Sequence, residues 1–417
     1  MARLIRGLPD DALRDRVQQA TLLYFTDFAH PASGMARERS GGALGYDVDD
    51  TVCAAGTGFG VMALIVAAER GWLSRRDAAD RIARIAGFLA RADRFNGVWP
   101  HFLSGATGRA IAVFDGDDGG DLVETAFLAM GLLCAASFFA GDAPELTEAL
   151  ETLVAGIDWA AHQREDGALM WHRSPHRPWA PTSLPIRGWN EALVVFVLAA
   201  GSARHSISPD AYHRFWATAE AFRNGRAYRG ETLPLGPDWG GPLFMSQYSF
   251  LGLDPRGLRD RYADYGAQAR AHALVNRAHC LANPHGHPGY GADCWGLTAS
   301  DDPTGYVAHH PLEDTGVITP TAALGSFPFV PEHAQRVLRH LHDGLGERVW
   351  GEAGFVDAFS VAEDWTAESR LAIDQGPIVI ALENWRSGLL WRLFMARPEV
   401  RAGLRALGLE SPYALTA

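Results

Sequence analysis

Residues 187–201 read RGWNEALVVFVLAAG: one acid, Glu191, then a run from Ala192 to Ala200 with no charge in it. As a helix this run is apolar on every side, and a helix of that kind is buried against other helices. Its first turn has unpaired N–H groups that carry partial positive charge, so Glu191 can be a plain helix-start acid. It can equally face a cavity and handle protons. The choice depends on whether the chain holds more helices of this kind.

It does. Runs of the same type, apolar and polar only at the start, begin at Thr51 (TVCAAGTGFGVMALIVAA), Asp121 (DLVETAFLAMGLLCAASFF), Thr319 (TPTAALGSFPF) and Asp374 (DQGPIVIALENWRSGLLW), with a weaker one in FMSQYSFLGL (244–253). Between them lie charged, one-sided patterns at 77–95, 144–163, 209–225 and 331–345. Each has the stripe of a helix with one face in water. Strand-like alternation is scarce. The apolar starts recur every ~55–75 residues, room for two helices and their connections. Six buried helices alternating with six amphipathic ones imply an all-α fold, an (α/α)6 barrel of one domain over 1–417, with a lead-in helix in the first ~40 residues. Two helical subdomains meeting near 200–240 are the other arrangement the pattern allows. Closure brings the polar starts of the inner helices to one end. The long Gly/Pro-rich connection at 282–316 exceeds ordinary loop lengths and reads as a wall of a site.

Bulk properties narrow the function. The chain has 417 residues, 47% of them hydrophobic and 21% charged, with a formal charge of −12. That charge disfavours nucleic acid and anionic membranes as partners. No signal peptide is visible, and no apolar run reads as long enough to span a membrane, so the expectation is a soluble protein. It is cytoplasmic on this reading, or periplasmic if a signal has been removed. Cys53, Cys134, Cys280 and Cys294 have no CxxC spacing and read as reduced, buried thiols without a zinc framework. Several of the 13 tryptophans sit in polar Gly/Pro-rich stretches, among them Trp99, Trp171, Trp179, Trp239, Trp295 and Trp350. Aromatic faces there suit sugar rings, which present C–H groups on one face.

The acids at the inner-helix starts carry the chemistry. DGDDGGDLVETAF supplies Asp117, Asp118, Asp121 and Glu124; a capping box from Asp121 to Glu124 is the structural alternative. Asp374 starts another helix, with Pro377 tolerated in its first turn. A calcium site from Asp115, Asp117, Asp118 and Asp121 lacks the rest of an EF-hand loop. His285, His287, His309 and His310 match no zinc spacing and read as wall residues or sugar hydrogen-bond partners. No metal or cofactor is expected. GTGFG (56–60) has no preceding strand, so its glycines read as close helix packing. Glycoside cleavage needs one protonated carboxyl to give the leaving oxygen a proton and a second carboxylate to activate water or to attack. Glu191, crowded by apolar residues, fits the donor, and Asp374 fits the base.

The stretches SQYSFLGLD, YGADCWGLTASDDPTGYVAH, ITPTAALGSFPFVPE, VWGEAGFVDAFS and LAIDQGPIVIALENWRSGLLWRLF resemble the bacterial glycoamylase-like proteins that include the β-1,2-glucanases of glycoside hydrolase family 144 and its relatives. GTGFGVMAL, DLVETAFLAMGLL and GWNEALV extend the resemblance over most of the chain. It implies an (α/α)6-barrel glycoside hydrolase that cuts β-1,2-glucan to sophoro-oligosaccharides. Its proton donor falls on Glu191, its AIDQGP aspartate on Asp374, and further acids on Asp117, Asp121 and Glu124. Gln247, Tyr248, Trp189, Trp295 and Trp365 are the other expected substrate contacts. Two positions depart from the family pattern: Trp189 replaces a tyrosine and Phe250 a histidine. Hydrolysis with inversion is the expectation, the water reached directly or through a substrate hydroxyl. A retaining transglycosylase on the same barrel and a non-catalytic glucan-binding protein are the rival readings. A polysaccharide lyase is disfavoured, since no dense basic cluster accompanies the acids.

Overall fold

The computed structural model describes residues 4–41, 45–179 and 183–413. Its α-helices are α1 (Asp10–Thr26), α2 (Ala54–Glu69), α3 (Arg75–Leu89), α4 (Leu122–Phe139), α5 (Pro144–Ala155), α6 (Leu193–Gly201), α7 (Tyr265–Ala282), α8 (Pro320–Leu324), α9 (Pro331–Arg339), α10 (Gly346–Val349), α11 (Ala372–Ser387), α12 (Leu389–Met395) and α13 (Pro398–Ala406). Among the described residues the strands form only two-stranded antiparallel ladders.

The all-round apolar runs become the inside of the molecule. Every residue from Ala54 to Ala67 of α2 is buried, and α4 is almost as completely enclosed. α2 packs on α4 and α11, α4 on α6, and α11 on α8; the turns at Leu243–Ser246 and Tyr248–Leu251 stand between α6 and α8. The glycines allow the closest crossing. A Cβ on Gly58 would strike the backbone of Phe127 and Leu128, and one on Gly131 would strike the backbone of Gly58. α2 and α4 therefore touch main chain to main chain, the role expected for GTGFG.

Each inner element has an outer partner: α1 on α11, α3 on α2, α5 on α4, α13 on α6, α7 on the turn at Leu243–Ser246, and α9 on α8. α3 shows how sequence makes such a helix. Ser74 caps it by accepting the Asp77 N–H at 3.0 Å, and Ala78, Ile82, Ile85, Ala86 and Leu89 form its buried stripe.

Several expectations need correction. The stripe at 209–225 does not form the outer helix beside α6. It makes a π-helical turn at Ala211–Trp216, and the chain then enters a hairpin, Arg223–Tyr228 with Glu231–Leu235. Ala221 and Gly225 take left-handed φ angles of 61° and 74°, which a continuing helix cannot hold. α13 fills the vacant place, its Gly403 against the Val197 backbone and Gly201 against Glu399. The runs at 244–253 and 319–329 give only short turns and the five-residue α8, interrupted at Gln247 and by Gly325. Within the connection at 282–316, Ala299–Asp302 and Gly305–Ala308 pair as a hairpin. The lead-in helix is confined to α1, and the chain's first three positions lie outside the described residues. Finally, α4 is long and apolar enough to cross a membrane, contrary to the sequence reading, but 89% of that window is buried in the protein, which accounts for its composition. All four cysteines are buried free thiols.

Candidate active site

The starts of the inner helices meet at one end of the molecule, and their acids meet with them. α2 begins after Cys53, whose side chain gives no cap, so its first N–H groups need acceptors from elsewhere. Glu124 supplies one: its Oε2 accepts the Ala55 N–H at 2.8 Å. The capping box is thus only half made. Asp121 caps α4, its Oδ1 accepting from Val123 and Glu124 N–H at 2.9 Å each, while Glu124 turns away to cap the neighbouring helix.

His101 sits among these acids, 3.7 Å from Asp117, 3.9 Å from Asp121 and 3.6 Å from Glu124, its ring stacked on Phe102 at 3.8 Å. His172 approaches Asp117 from the other side at 3.8 Å. Burial pushes Asp121 up to about 7 and Glu124 to about 8. Asp117 is raised for the same reason, against the pull of the two histidines.

Glu191 is not in the first turn of α6. It lies in the turn two residues before Leu193, where Asn190 Oδ1 accepts the Ala192 N–H at 3.1 Å, and the free helix N–H of Val194 is met by Ser249 Oγ at 3.0 Å. The Glu191 carboxyl is therefore spare. It is buried, its Oε2 meets no donor, and burial pushes it up to about 7, with Glu124 adding to the shift. A buried polar atom without a partner is costly and uncommon, and points to use rather than support.

A second cluster surrounds Asp374 in the first turn of α11. Asp374 is 1% exposed and neither carboxyl oxygen has a donor. Burial and then Asp357 hold it well above the usual carboxylate range. Asp357 is raised to about 7 by burial and by Asp301, whose backbone N–H it binds at 2.8 Å. Arg39 supplies the cation: it meets Asp301 at 2.8 Å and Glu38 at 2.9 Å, and Tyr46 donates to Glu38 at 2.6 Å. Tyr306, on the hairpin within 282–316, is 53% exposed, yet its hydroxyl end lies in the electrostatic reach of Asp374, Asp357 and Glu38. Tyr248 joins the two clusters, since its buried hydroxyl feels both Asp374 and Glu191.

The structure thus brings together Glu191, Asp374, Asp117, Asp121, Glu124 and Tyr248. Other expected contacts are committed elsewhere. Gln247 Nε2 holds α8 through Ala322 O and Ser326 Oγ, both at 2.9 Å. Trp189 is a core residue, bonded to Ser246 Oγ at 3.1 Å and stacked on Tyr265. Trp295 is fully buried in the packing under α8 and α9, so it offers no ring face to a ligand. Trp365 is half-buried on a short hairpin paired to Ser360. In the histidine-rich region, His279, His285 and Asp314 are close enough to share a cation, but Asp314 already takes His279 at 2.8 Å, Tyr290 at 2.7 Å and Gly316 N–H at 3.1 Å. Sequence reasoning missed His101, Arg39, Asp301, Asp357 and Tyr306. The available signal was FVDAF, an acid flanked by apolar and aromatic residues, where a solvated charge has no place.

Residues 183–398 match the model of the glycoamylase family, described as "Putative glucoamylase". A Bacteroides uniformis crystal structure of the same description is 48% identical, covers 98% of this chain and 100% of its own, and superposes with a TM-score of 0.95. An endo-β-1,2-glucanase of Chitinophaga pinensis, solved with sophorotriose and glucose, is 45% identical with coverage of 98% and 100% and the same TM-score of 0.95. An exo β-1,2-glucooligosaccharide sophorohydrolase (non-reducing end) of Parabacteroides distasonis is 36% identical over 96% of this chain; the chain spans 58% of that relative's length.

Proposed function

We propose that this chain, which belongs to the glycoamylase family, hydrolyses β-1,2-glucan to sophoro-oligosaccharides on an (α/α)6 barrel that forms one catalytic domain. The six inner elements and their six outer partners support the barrel. The observation that carries the activity is two buried carboxyls with unpaired oxygens, Glu191 and Asp374, both within reach of the Tyr248 hydroxyl.

The chemistry follows from their surroundings. An acid held near 7 keeps its proton at neutral pH yet gives it up readily, which suits Glu191 to protonating the leaving glycosidic oxygen. The Asp374 side takes the proton of the attacking water. Each group keeps to its own cluster: the like charge that raises Glu191 is Glu124, whereas Asp374 is raised by Asp357 and Asp301. Inversion needs room for a water between acid and base, a separation of ~6.5–9.5 Å, and the two groups' separate sets of neighbours support that reading. Asp117, Asp121 and Glu124, with His101 among them, stand beside Glu191 as hydrogen-bond partners for sugar hydroxyls.

Product analysis on linear β-1,2-glucan tests this. Wild type is expected to release sophoro-oligosaccharides and Glu191→Gln to lose ~10²–10⁴-fold in rate. No cleavage by wild type would overturn the substrate, and an undiminished Glu191→Gln variant would overturn the donor.

A further inference from the structure

A base must be free of its proton when water arrives, and Asp374 is built to keep one. Both its oxygens are buried without a donor. Beside it, within hydrogen-bonding range, is the carboxyl of Asp357, whose Oδ1 also meets no donor. Two ionised carboxyls in contact, away from water, repel each other and leave three oxygens unsatisfied. One proton between them removes the repulsion and pairs two of the three oxygens, leaving one oxygen of Asp374 open.

The surroundings decide where that proton rests. Asp357 Oδ2 accepts the Asp301 N–H at 2.8 Å, a bond that favours its charged form. Asp374 has no such donor. The other charged and titratable groups around the pair are Arg39 from Arg39–Ser40, the Asp301 carboxylate that Arg39 neutralises, the buried Tyr24 of α1 near Asp357, Tyr306 from the hairpin, and Tyr248 from the turn before α7. Arg39 favours charge on both carboxyls, so the backbone N–H breaks the tie.

We propose that Asp357 and Asp374 work as one group carrying a single proton, with the negative charge on Asp357 and the hydrogen on Asp374. This rests on the hydrolase reading for the identity of the step. As the water oxygen bonds to the anomeric carbon, the glycosidic C–O bond breaks and the leaving oxygen takes the Glu191 proton. The water proton goes to the free oxygen of Asp374, which passes its own hydrogen to Asp357. The pair ends neutral and Glu191 ends as a carboxylate. One proton returned through solvent from the pair to Glu191 restores the start. Asp374 meets the water; Asp357 acts through it and is a positioning residue.

Carboxyl ¹³C NMR of wild-type protein labelled at aspartate, titrated over about pH 4 to 10 and assigned with Asp357→Asn and Asp374→Asn, reads the pair directly. The expected result is two coupled steps, one buried aspartate still protonated at neutral pH, and a single step in each variant. Two independent titrations in the ordinary aspartate range would overturn the pair, and wild type alone suffices to show it. Asp357→Asn is expected to lower kcat on β-1,2-glucan ~10²-fold or more with KM little changed. If wild type shows the coupled steps but cleaves no β-1,2-glucan, the substrate reading fails and the pair stands. If wild type cleaves the glucan without coupled steps, the pair fails and the hydrolase stands.

Discussion

The acid clusters on the two sides of Tyr248 are made of the same residue types and are wired differently. On the α4–α6 side, backbone N–H groups and the His101 ring take up Asp121, Glu124 and Asp117, and Glu191 is left with a bare oxygen. On the α11 side a guanidinium, Arg39, holds Asp301 and Glu38, and Asp374 is left facing another carboxyl. On the proposed mechanism, the first arrangement leaves an acid with a proton to give and the second a pair with room for one more. A carboxyl's role follows from what stands beside it, since burial alone raises both.

That contrast makes the α11 side depend on its cation, and the other side not. Arg39→Met would strand Asp301 and Glu38 as part-buried charges without their cation and is expected to cost about 3 kcal/mol in urea unfolding. A loss under about 1 kcal/mol would mean the cluster does not need the guanidinium.

A smaller effect sharpens the other side. Glu191 has an ordinary pKa of 4.5 in the unfolded chain and about 7 in the fold. Below 4.5 both states are protonated and burial of the group costs nothing through ionisation. As pH rises from 4.5 through 7 the unfolded chain releases the proton first, so that stability is lost over this window. Glu191→Gln should therefore gain on wild type by about 1–3 kcal/mol between pH 4.5 and 8, read from unfolding curves at the two pH values. A difference independent of pH would place the Glu191 pKa in the ordinary range.

Much of the fold is legible in the chain itself, for a physical reason. Helices such as α2 and α4 are apolar on all faces, and only burial in a ring of like helices accommodates that. The outer place beside α6 is not legible in the same way. Residues 209–225 carry a good stripe, while the glycine contacts that seat α13 there, Gly201 and Gly403, join residues about half the chain apart. The site divides along the same line. Glu191 and Asp374 stand out because each opens a long apolar run. His101, Arg39, Asp301 and Asp357 lie in loops and two- to four-residue strands, where no period marks a face and only long-range pairing, such as Arg39 opposite Leu371, brings them together.

The division of labour between the clusters is tested most directly by changing the leaving group. A β-sophoroside with a good aryl leaving group needs little help from an acid, while attack of water still needs the base. With rates on this substrate and on β-1,2-glucan, Glu191→Gln is expected to lose ~10²–10⁴-fold on the glucan and recover most of it on the aryl sophoroside, whereas Asp374→Asn stays impaired on both. Equal losses for both variants on both substrates would contradict the assignment of acid to one cluster and base to the other.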